Sequence, residues 1–352
     1  MRRLRLPLRV VHRKFIGRTL RVFTGLSKLC LCTFVVVYVL SLTQGTQYNE
    51  AGTRITQYNE AGTRGPCTLI MSGFAREKLM TVLLLHYATM PLFDKIFVSW
   101  ANTAKPNIFM ELKQRLPGTE HIYIIYTDDS LNLRFKPPKG LTTNCVFIVD
   151  DDMYVRESTI ISMYQLWLSH SKQIIGLWPR THKISNDGRY MYESRPLVGF
   201  SMVLTKFMVL HHRYLGMYAE ESYREIRDYV DRVQNCEDIA MNFLVLVATR
   251  LPPLYVRDEK KVDFGAKLGI YTRSGHKSSR NDCVSGMYRM FGNIEPKTSF
   301  VSYSVRELKE EPFEEDSFHS VDLHSNTIDM ILRTDSIWEI PKLLSLTLDS
   351  SA

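Results

Sequence analysis

The chain has 352 residues, 45% of them hydrophobic and 23% charged, the composition of a globular protein with length for one large domain or two ordinary ones. Its formal charge of +8 is lopsided: nine of the 45 Lys and Arg lie in residues 1–28, which hold no acid, and without them 36 bases face 37 acids. A near-neutral body lacks the basic footprint of a nucleic-acid-binding domain, so that class is set aside.

After Lys28 the run LCLCTFVVVYVLSL, Leu29 to Leu42, is uncharged, and no charge follows before Glu50. A spanning helix uses about 20 apolar residues. The uncharged stretch to Asn49 lengthens this short core, and thin early-secretory membranes accept short spans. A cleaved signal peptide fits less well, because no small-x-small site follows and the basic region is long. A transit peptide would be amphipathic instead. The sequence therefore predicts a transmembrane anchor over 29–49. The positive-inside rule puts residues 1–28 in the cytoplasm and the body in the lumen, a single-pass type II arrangement in the Golgi or endoplasmic reticulum membrane.

Residues 46–54 and 56–64 both read TQYNEAGTR, a polar tandem copy expected to act as a stem over 46–65. Of six cysteines, Cys30 and Cys32 fall in the apolar run, where palmitoylation and lipid packing both remain open. Cys67, Cys145, Cys236 and Cys283 belong to the body; with no CxxC pair a zinc site is not expected, and one disulfide is, its pairing open.

From Cys67 the body alternates strand and helix patterns. CTLIMS (67–72), KIFVSW (95–100), HIYIIYT (121–127), CVFIVD (145–150) and QIIGLW (173–178) read as strands. Helical spacing marks 76–90, 111–116, 202–230 and 236–249. This order predicts an α/β sandwich with a mostly parallel sheet. From about Arg306 the chain turns acidic (EEPFEEDSF) and periodicity fades, so 306–352 is expected to be a disordered tail despite the apolar patch near Trp338–Leu348.

Asp150, Asp151 and Asp152 end an apolar strand, where open α/β sheets bind ligands. Carboxylates spaced as Asp150 and Asp152 suit a hard divalent cation that bridges a diphosphate; the bland alternative is a solvated acidic turn. In Asn235-Cys236-Glu237-Asp238, Asn235 or Cys236 could cap a helix whose first turn favours Glu237 and Asp238, which explains the acidity without chemistry. A functional reading sets Asp238 opposite the cation, at the anomeric carbon of a sugar. Arg280, in the polar segment SGHKSSRNDC, is suited to grip phosphate oxygens, though such an Arg is more often solvated.

Taken together, TLIM with Arg76, HYA near Tyr87, VSW at 98–100, SLNLRF at 130–135, FIVDDD at 147–152, SMVLTK at 201–206, NCEDIAMNFL at 235–244, and GH followed by Arg280 and Cys283 resemble the exostosin-like glycosyltransferase domain, glycosyltransferase family 64. The resemblance spans about Cys67 to Val305 and casts the chain as a short, single-domain member with a glycosyltransferase domain over 66–305. It implies a GT-A fold and retaining, manganese-dependent transfer from a nucleotide sugar to a glycan or sphingolipid acceptor, Mn2+ standing for any suitable divalent metal. It further implies Asp152 as main metal ligand with Asp150 beside it, Asp150 and Asp151 near ribose and diphosphate, and Asp238 as the catalytic acid residue. Arg280 would hold the diphosphate, Arg76 and Arg134 would help fix the nucleotide, and Cys236 would pair with Cys283. Two departures stand out. Ala101 occupies a position where members often have Asn, for which Asn102 could stand in. Lys206, Phe207 and Met208 replace Gly and small residues of animal members, and their bulk would narrow the acceptor pocket. Lys206 and the SGH segment are similar to the plant branch, linked to mannose from GDP-mannose on inositol phosphorylceramide sphingolipids; animal members use UDP-N-acetylhexosamine in heparan sulfate assembly. Competing expectations are an inactive lumenal scaffold or sugar-binding partner, and, from the acidic cluster alone, a metal-dependent phosphohydrolase. The oligomeric state is open, a homo-oligomer included.

Overall fold

A computed structural model describes residues 65–102, 104–265, 276–314 and 325–349. The expected basic tail, anchor and stem, with Cys30 and Cys32, lie outside them. Among the described residues no helix is long and apolar enough to cross a membrane.

The first half alternates as its sequence does: β1 Cys67–Gly73, α1 Glu77–Ala88, β2 Phe93–Trp100, α2 Asn107–Arg115, β3 Ile122–Tyr126, a 3-10 turn Leu131–Phe135, β4 Cys145–Asp150, β5 Met153–Tyr154 and α3 Glu157–His170. Then come short strands, β6 Ile175–Gly176, β7 Pro179–Ile184, β8 Tyr190–Glu193, β9 Met202–Val203 and β10 Phe207–His211. Helices α4 Arg213–Ala219, α5 Arg224–Val233 and α6 Glu237–Thr249 follow, then β11 Leu254–Arg257, β12 Val262–Asp263, α7 His276–Met290, β13 Val301–Ser304, β14 Glu310–Pro312, α8 Ser325–Leu332 and α9 Ile340–Asp349.

Nine strands form one sheet in the order β14-β13-β11-β6-β10-β4-β1-β2-β3. The pairs β1·β2, β1·β4, β2·β3, β6·β11 and β11·β13 are parallel; β10 runs antiparallel to β4 and β6, and β14 to β13. This is the mixed α/β, mostly parallel architecture that the strand–helix alternation predicts. Side chains alternate across the central strands. Leu69 and Met71, Phe147 and Val149, and Phe207 and Val209 enter one core, while Ile70, Val146, Ile148, Met208 and Leu210 enter the other. A sheet covered on both faces explains why these strands read as unbroken apolar runs. Among the described residues both cores are built from side chains between Cys67 and Leu348, within the compact unit Tyr58–Ala352.

The structure corrects four expectations. The helical stretch expected over 202–230 begins only at Arg213: Phe207–His211 is a strand inserted between β4 and β6, an apolar run too short for periodicity to separate strand from helix. Phe207 and Met208 are fully buried in the two cores, so they do not narrow an acceptor pocket. Arg280 is not solvated as such residues usually are: it lies on helix α7 and is buried. Finally, residues 325–349 are not a disordered tail. Ile328, Ile331, Ile337, Ile340, Leu344 and Leu348 join the core cluster that contains Met80 and Leu84 of α1. Lys78 pairs with Asp329 at 2.7 Å and Arg115 with Asp335 at 2.8 Å along the same contact.

Two disulfides are formed where one was expected. Cys236 joins Cys283, as the family resemblance implied, and tethers the start of α6 to α7. Cys67 joins Cys145 across the register-paired ends of β1 and β4, with Cα atoms 4.6 Å apart.

Candidate active site

The acidic triplet lies at the carboxyl end of β4, level with Ser72 at the end of β1. Its backbone is fixed from several sides. Asp150 N donates to Lys206 O at 3.1 Å, and Phe264 N donates to Asp152 O at 2.9 Å. Just beyond, Tyr87 Oη donates to Met153 O at 2.6 Å and His86 Nε2 to Val155 O at 3.1 Å. The HYA motif thus supplies two buried donors that hold the chain leaving the triplet.

The turn from β1 into α1 carries Ala75 at φ 61°, a left-handed conformation uncommon for a residue with a Cβ. It directs Phe74 N onto Asp151 Oδ2 at 2.9 Å. The guanidinium of Arg76 reaches two carboxylates, pairing with Asp151 and, at 2.8 Å, with Asp152 Oδ2. Burial raises the Asp151 carboxyl above its ordinary range against the pull of Arg76. Asp152 is pushed to about 7 by burial and by Asp150, Asp151 and Asp263 around it, with Arg76 opposing.

Arg134, on the 3-10 turn, joins the two halves of the site. Its Nη1 donates to Asp150 Oδ1 at 3.0 Å and Thr205 Oγ1 at 2.6 Å, and lies 3.5 Å from Glu237 Oε1. Its side chain is only 10% exposed, so it braces the carboxylates from below. Glu237 sits in the first turn of α6, where burial lifts its carboxyl to about 6 although Arg134 works against the shift.

Beside it, Arg280 Nη2 donates to Asp238 Oδ2 at 2.5 Å and Nη1 to Asn235 Oδ1 at 3.2 Å. Its guanidinium carbon lies 4.4 Å from the Tyr192 ring centroid, a cation–π contact. Burial works to lower the Arg280 group, but Asp238 and Tyr192 outweigh it and hold the guanidinium above its usual value, so it stays a full cation. Neither Asn235 nor Cys236 caps α6 in the expected sense: Cys236 takes the N-cap position at φ 83° with no side-chain cap, and Asn235 Oδ1 accepts from Cys236 N at 2.9 Å. Asn242 secures the helix end by bonding both Val203 and the Asp238 carbonyl.

The structure therefore brings together Arg76, Arg134, Asp150, Asp151, Asp152, Asp238 and Arg280, drawn from segments up to 204 residues apart in number. Asn102 lies on the loop after β2, next to Ala101, whose N donates to Gly73 O at 3.1 Å, and its own Oδ1 accepts from Ala104 N at 3.4 Å. Three members escaped sequence reading. Glu237 was legible only as a helix-start acid, Tyr192 carried no signal, and Asp263 lies in an unremarked segment, paired with Lys206.

A divalent cation fits this chemistry. Asp152 Oδ1 is buried with no hydrogen-bond partner among the described residues. The backbone of Gly265 crowds the other oxygen so closely that a Cβ there would lie 1.8 Å from Asp152 Oδ2. In the linked ion pairs, six carboxylates (Asp150, Asp151, Asp152, Glu237, Asp238, Asp263) face four cations (Arg76, Arg134, Lys206, Arg280), a formal excess of two negative charges. Among the described residues no three His, Cys, Asp or Glu side chains form a complete cage, so a cation here would draw further ligands from substrate or water.

The sequence profile of the Glycosyl transferase family 64 domain matches residues 67–304. Glycosylinositol phosphorylceramide mannosyl transferase 1 of Arabidopsis thaliana is 32% identical over 244 residues, covering 64% of this chain and 72% of that protein. Glycosyltransferase family protein 64 C3 of Arabidopsis thaliana is 28% identical over 251 residues (64% and 76%), and Exostosin-like 2 of Homo sapiens 27% over 256 (67% and 76%). The matched span contains the whole carboxylate–arginine cluster, and the chain belongs to glycosyltransferase family 64, with an exostosin-like domain and the activity of a glycosyltransferase.

Proposed function

We propose that the chain is a retaining, cation-dependent transferase of GT-A type that moves a sugar from a nucleotide sugar to a glycan or glycolipid acceptor. We further propose that it works as a type II protein of the Golgi or endoplasmic reticulum membrane. The observation that carries the cation-dependent reading is Asp152 Oδ1, buried and unpartnered at the carboxyl end of β4, with a buried Asp238–Arg280 pair across the site. Of the two donor classes, GDP-mannose and UDP-N-acetylhexosamine, the mannosyl donor and a sphingolipid acceptor are favoured by the name of the first relative.

Asp152, with Asp150 beside it, would hold the cation, whose charge would neutralise the departing diphosphate. Arg280, kept cationic by its partners, supplies fixed positive charge to the same leaving group. Asp238 faces the sugar and stabilises the positive charge that develops in an oxocarbenium-like transition state. Arg76 bridges two of the triplet carboxylates and holds the nucleotide end. Arg134, bonded to Asp150 and 3.5 Å from Glu237, would orient those carboxylates beside the nucleotide it helps to fix.

The test is a calorimetric titration of the body, residues 58–352, with GDP and with UDP, each with and without Mn2+. Cation-dependent binding of GDP supports the mannosyl reading and of UDP the hexosaminyl one. Failure of both in a folded protein overturns the proposal in favour of a scaffold. Asp152→Asn should abolish the cation-dependent part; an unchanged affinity would sink the ligand assignment.

A further inference from the structure

The backbone around Asp152 is gripped by a segment whose placement depends on a residue that no part of the reaction above uses. Strand β12 pairs with β5, setting Asp263 opposite Met153, the residue after the triplet. The Asp263 side chain is 2% exposed and pairs with the ammonium of Lys206, itself 20% exposed. Its other oxygen, Oδ1, accepts from Gly265 N at 2.9 Å. Gly265 then abuts Asp152 Oδ2, with Arg76 Nη1 only 3.1 Å from where a Cβ would be. A continuous chain of contacts thus runs Lys206, Asp263, Gly265, Asp152, and at its end one carboxylate oxygen is blocked by backbone while the other is left bare. Lys206 also touches the triplet directly, through its carbonyl on Asp150 N.

We propose that Lys206 is a positioning residue for the cation carboxylate: through Asp263 and Gly265 it fixes the rotation of Asp152 so that Oδ1 faces the cation. The inference rests on the cation-dependent reading above. Partners that orient a ligating carboxylate are part of a metal site even though they never touch the metal. Charge is the reason a lysine serves here. Asp263 is buried beside the triplet, and without its counter-ion the carboxylate would turn away from this position, which frees Gly265 N and lets Asp152 swing.

The experiment titrates Mn2+ into the body in the presence of saturating GDP or UDP, whichever binds the wild-type chain, with a thermal melt in the absence of Mn2+ run alongside. Lys206→Met should weaken apparent Mn2+ affinity about 10- to 100-fold, the usual loss on removing an outer-shell partner. Lys206→Arg, which keeps the charge, should recover most of it. Asp263→Asn should weaken Mn2+ binding as Lys206→Met does, and the double variant should be no worse than either single one, since both act on one chain of contacts. Gly265→Ala leaves the ion pair intact yet drives a Cβ against Asp152, and should also lower the affinity, which keeps the idea testable if Lys206→Met does not fold. A folded Lys206→Met with wild-type Mn2+ affinity, or an Asp263→Asn that binds Mn2+ normally while Lys206→Met does not, overturns the proposal. Wild-type protein that binds nucleotide without any Mn2+ dependence instead removes the cation reading beneath it.

Discussion

Acidification should weaken the fold through a single buried histidine. His86 lies on α1, 3% exposed, its ring 4.8 Å from Tyr154 and 5.1 Å from Tyr87 between centroids. Nε2 carries the proton donated to Val155 O, and Nδ1 is buried with no partner among the described residues. Protonation would add a charge and a second N–H with no acceptor, so burial lowers the group from 6.5 to about 4. The unfolded chain then binds more protons between those values, and stability falls as pH drops through the window and is intact above it. The whole gap is worth about 3.4 kcal/mol, reached only below pH 4 where the folded ring protonates as well, and about 2 kcal/mol is already lost at pH 5. Urea unfolding of the body at pH 7.5, 6 and 5, compared with His86→Gln, isolates the effect, because glutamine keeps an N–H for Val155 and does not titrate. The variant should lack that about 2 kcal/mol of decline while sharing whatever change the other titrating groups contribute. A wild-type-minus-variant difference constant from pH 7.5 to 5 would refute the buried neutral histidine.

Arg280→Met leaves Asp238 as an uncompensated buried carboxylate and should destabilise the body by about 3–5 kcal/mol, read by denaturant midpoint. Asp238→Asn should keep nucleotide affinity within about threefold while turnover falls on the order of 10²–10³-fold, as for other fixed charges at a reacting centre; retained turnover in a donor-hydrolysis or transfer assay refutes its role. Replacing Cys67 and Cys145 together by Ala opens a link across 78 residues and should cost about 2–5 kcal/mol, checked by unfolding and by non-reducing peptide mapping of the parent. Ile340→Ala and Leu344→Ala, both fully buried outside the family-matched region, should each cost about 2–5 kcal/mol; a neutral melt would show that α9 does not hold α1.

The carboxyl end of β4 was legible because a fully buried parallel strand is an apolar run, and three acids stopping such a run leave few places to be. The same logic failed at Phe207–His211, where four apolar residues between Lys206 and His211 carry no period. Helix α7 was hidden by chemistry: its buried stripe is Arg280, Cys283, Val284 and Met287, a clear i, i+3, i+4, i+7 pattern once the arginine is counted as an inside residue. Nothing local marks Arg280 that way, because its burial depends on Asp238, 42 positions earlier. Lys206 with Asp263, and Cys67 with Cys145, are likewise partnerships between distant strands, set by sheet order rather than by spacing. The C-terminal helices were masked by the acidic run before them, although Ile337, Ile340, Leu344 and Leu348 follow a helical spacing.

Cation binding should carry a pH dependence set by the ionisation of Asp152. Asp152 is held at about 7 because burial and three neighbouring carboxylates outweigh Arg76. Its folded value lies above that of an unfolded carboxyl, so without a cation this group favours the fold most at low pH and withdraws that support as pH rises through 7. A dication reverses the sign, since it needs the deprotonated oxygen and neutralises the charge that burial penalises. Apparent Mn2+ affinity should then be near its maximum at pH 8 and about tenfold weaker at pH 6, with the Mn2+-induced rise in melting temperature shrinking in parallel. The assay should use an intact nucleotide sugar instead of free GDP or UDP, because a diphosphate esterified at both ends has no ionisation in this range to confuse with that of Asp152. An affinity that stays level from pH 8 to pH 6 would mean that the cation is held by groups already ionised, and Asp150 rather than Asp152 would be the carboxylate to mutate next.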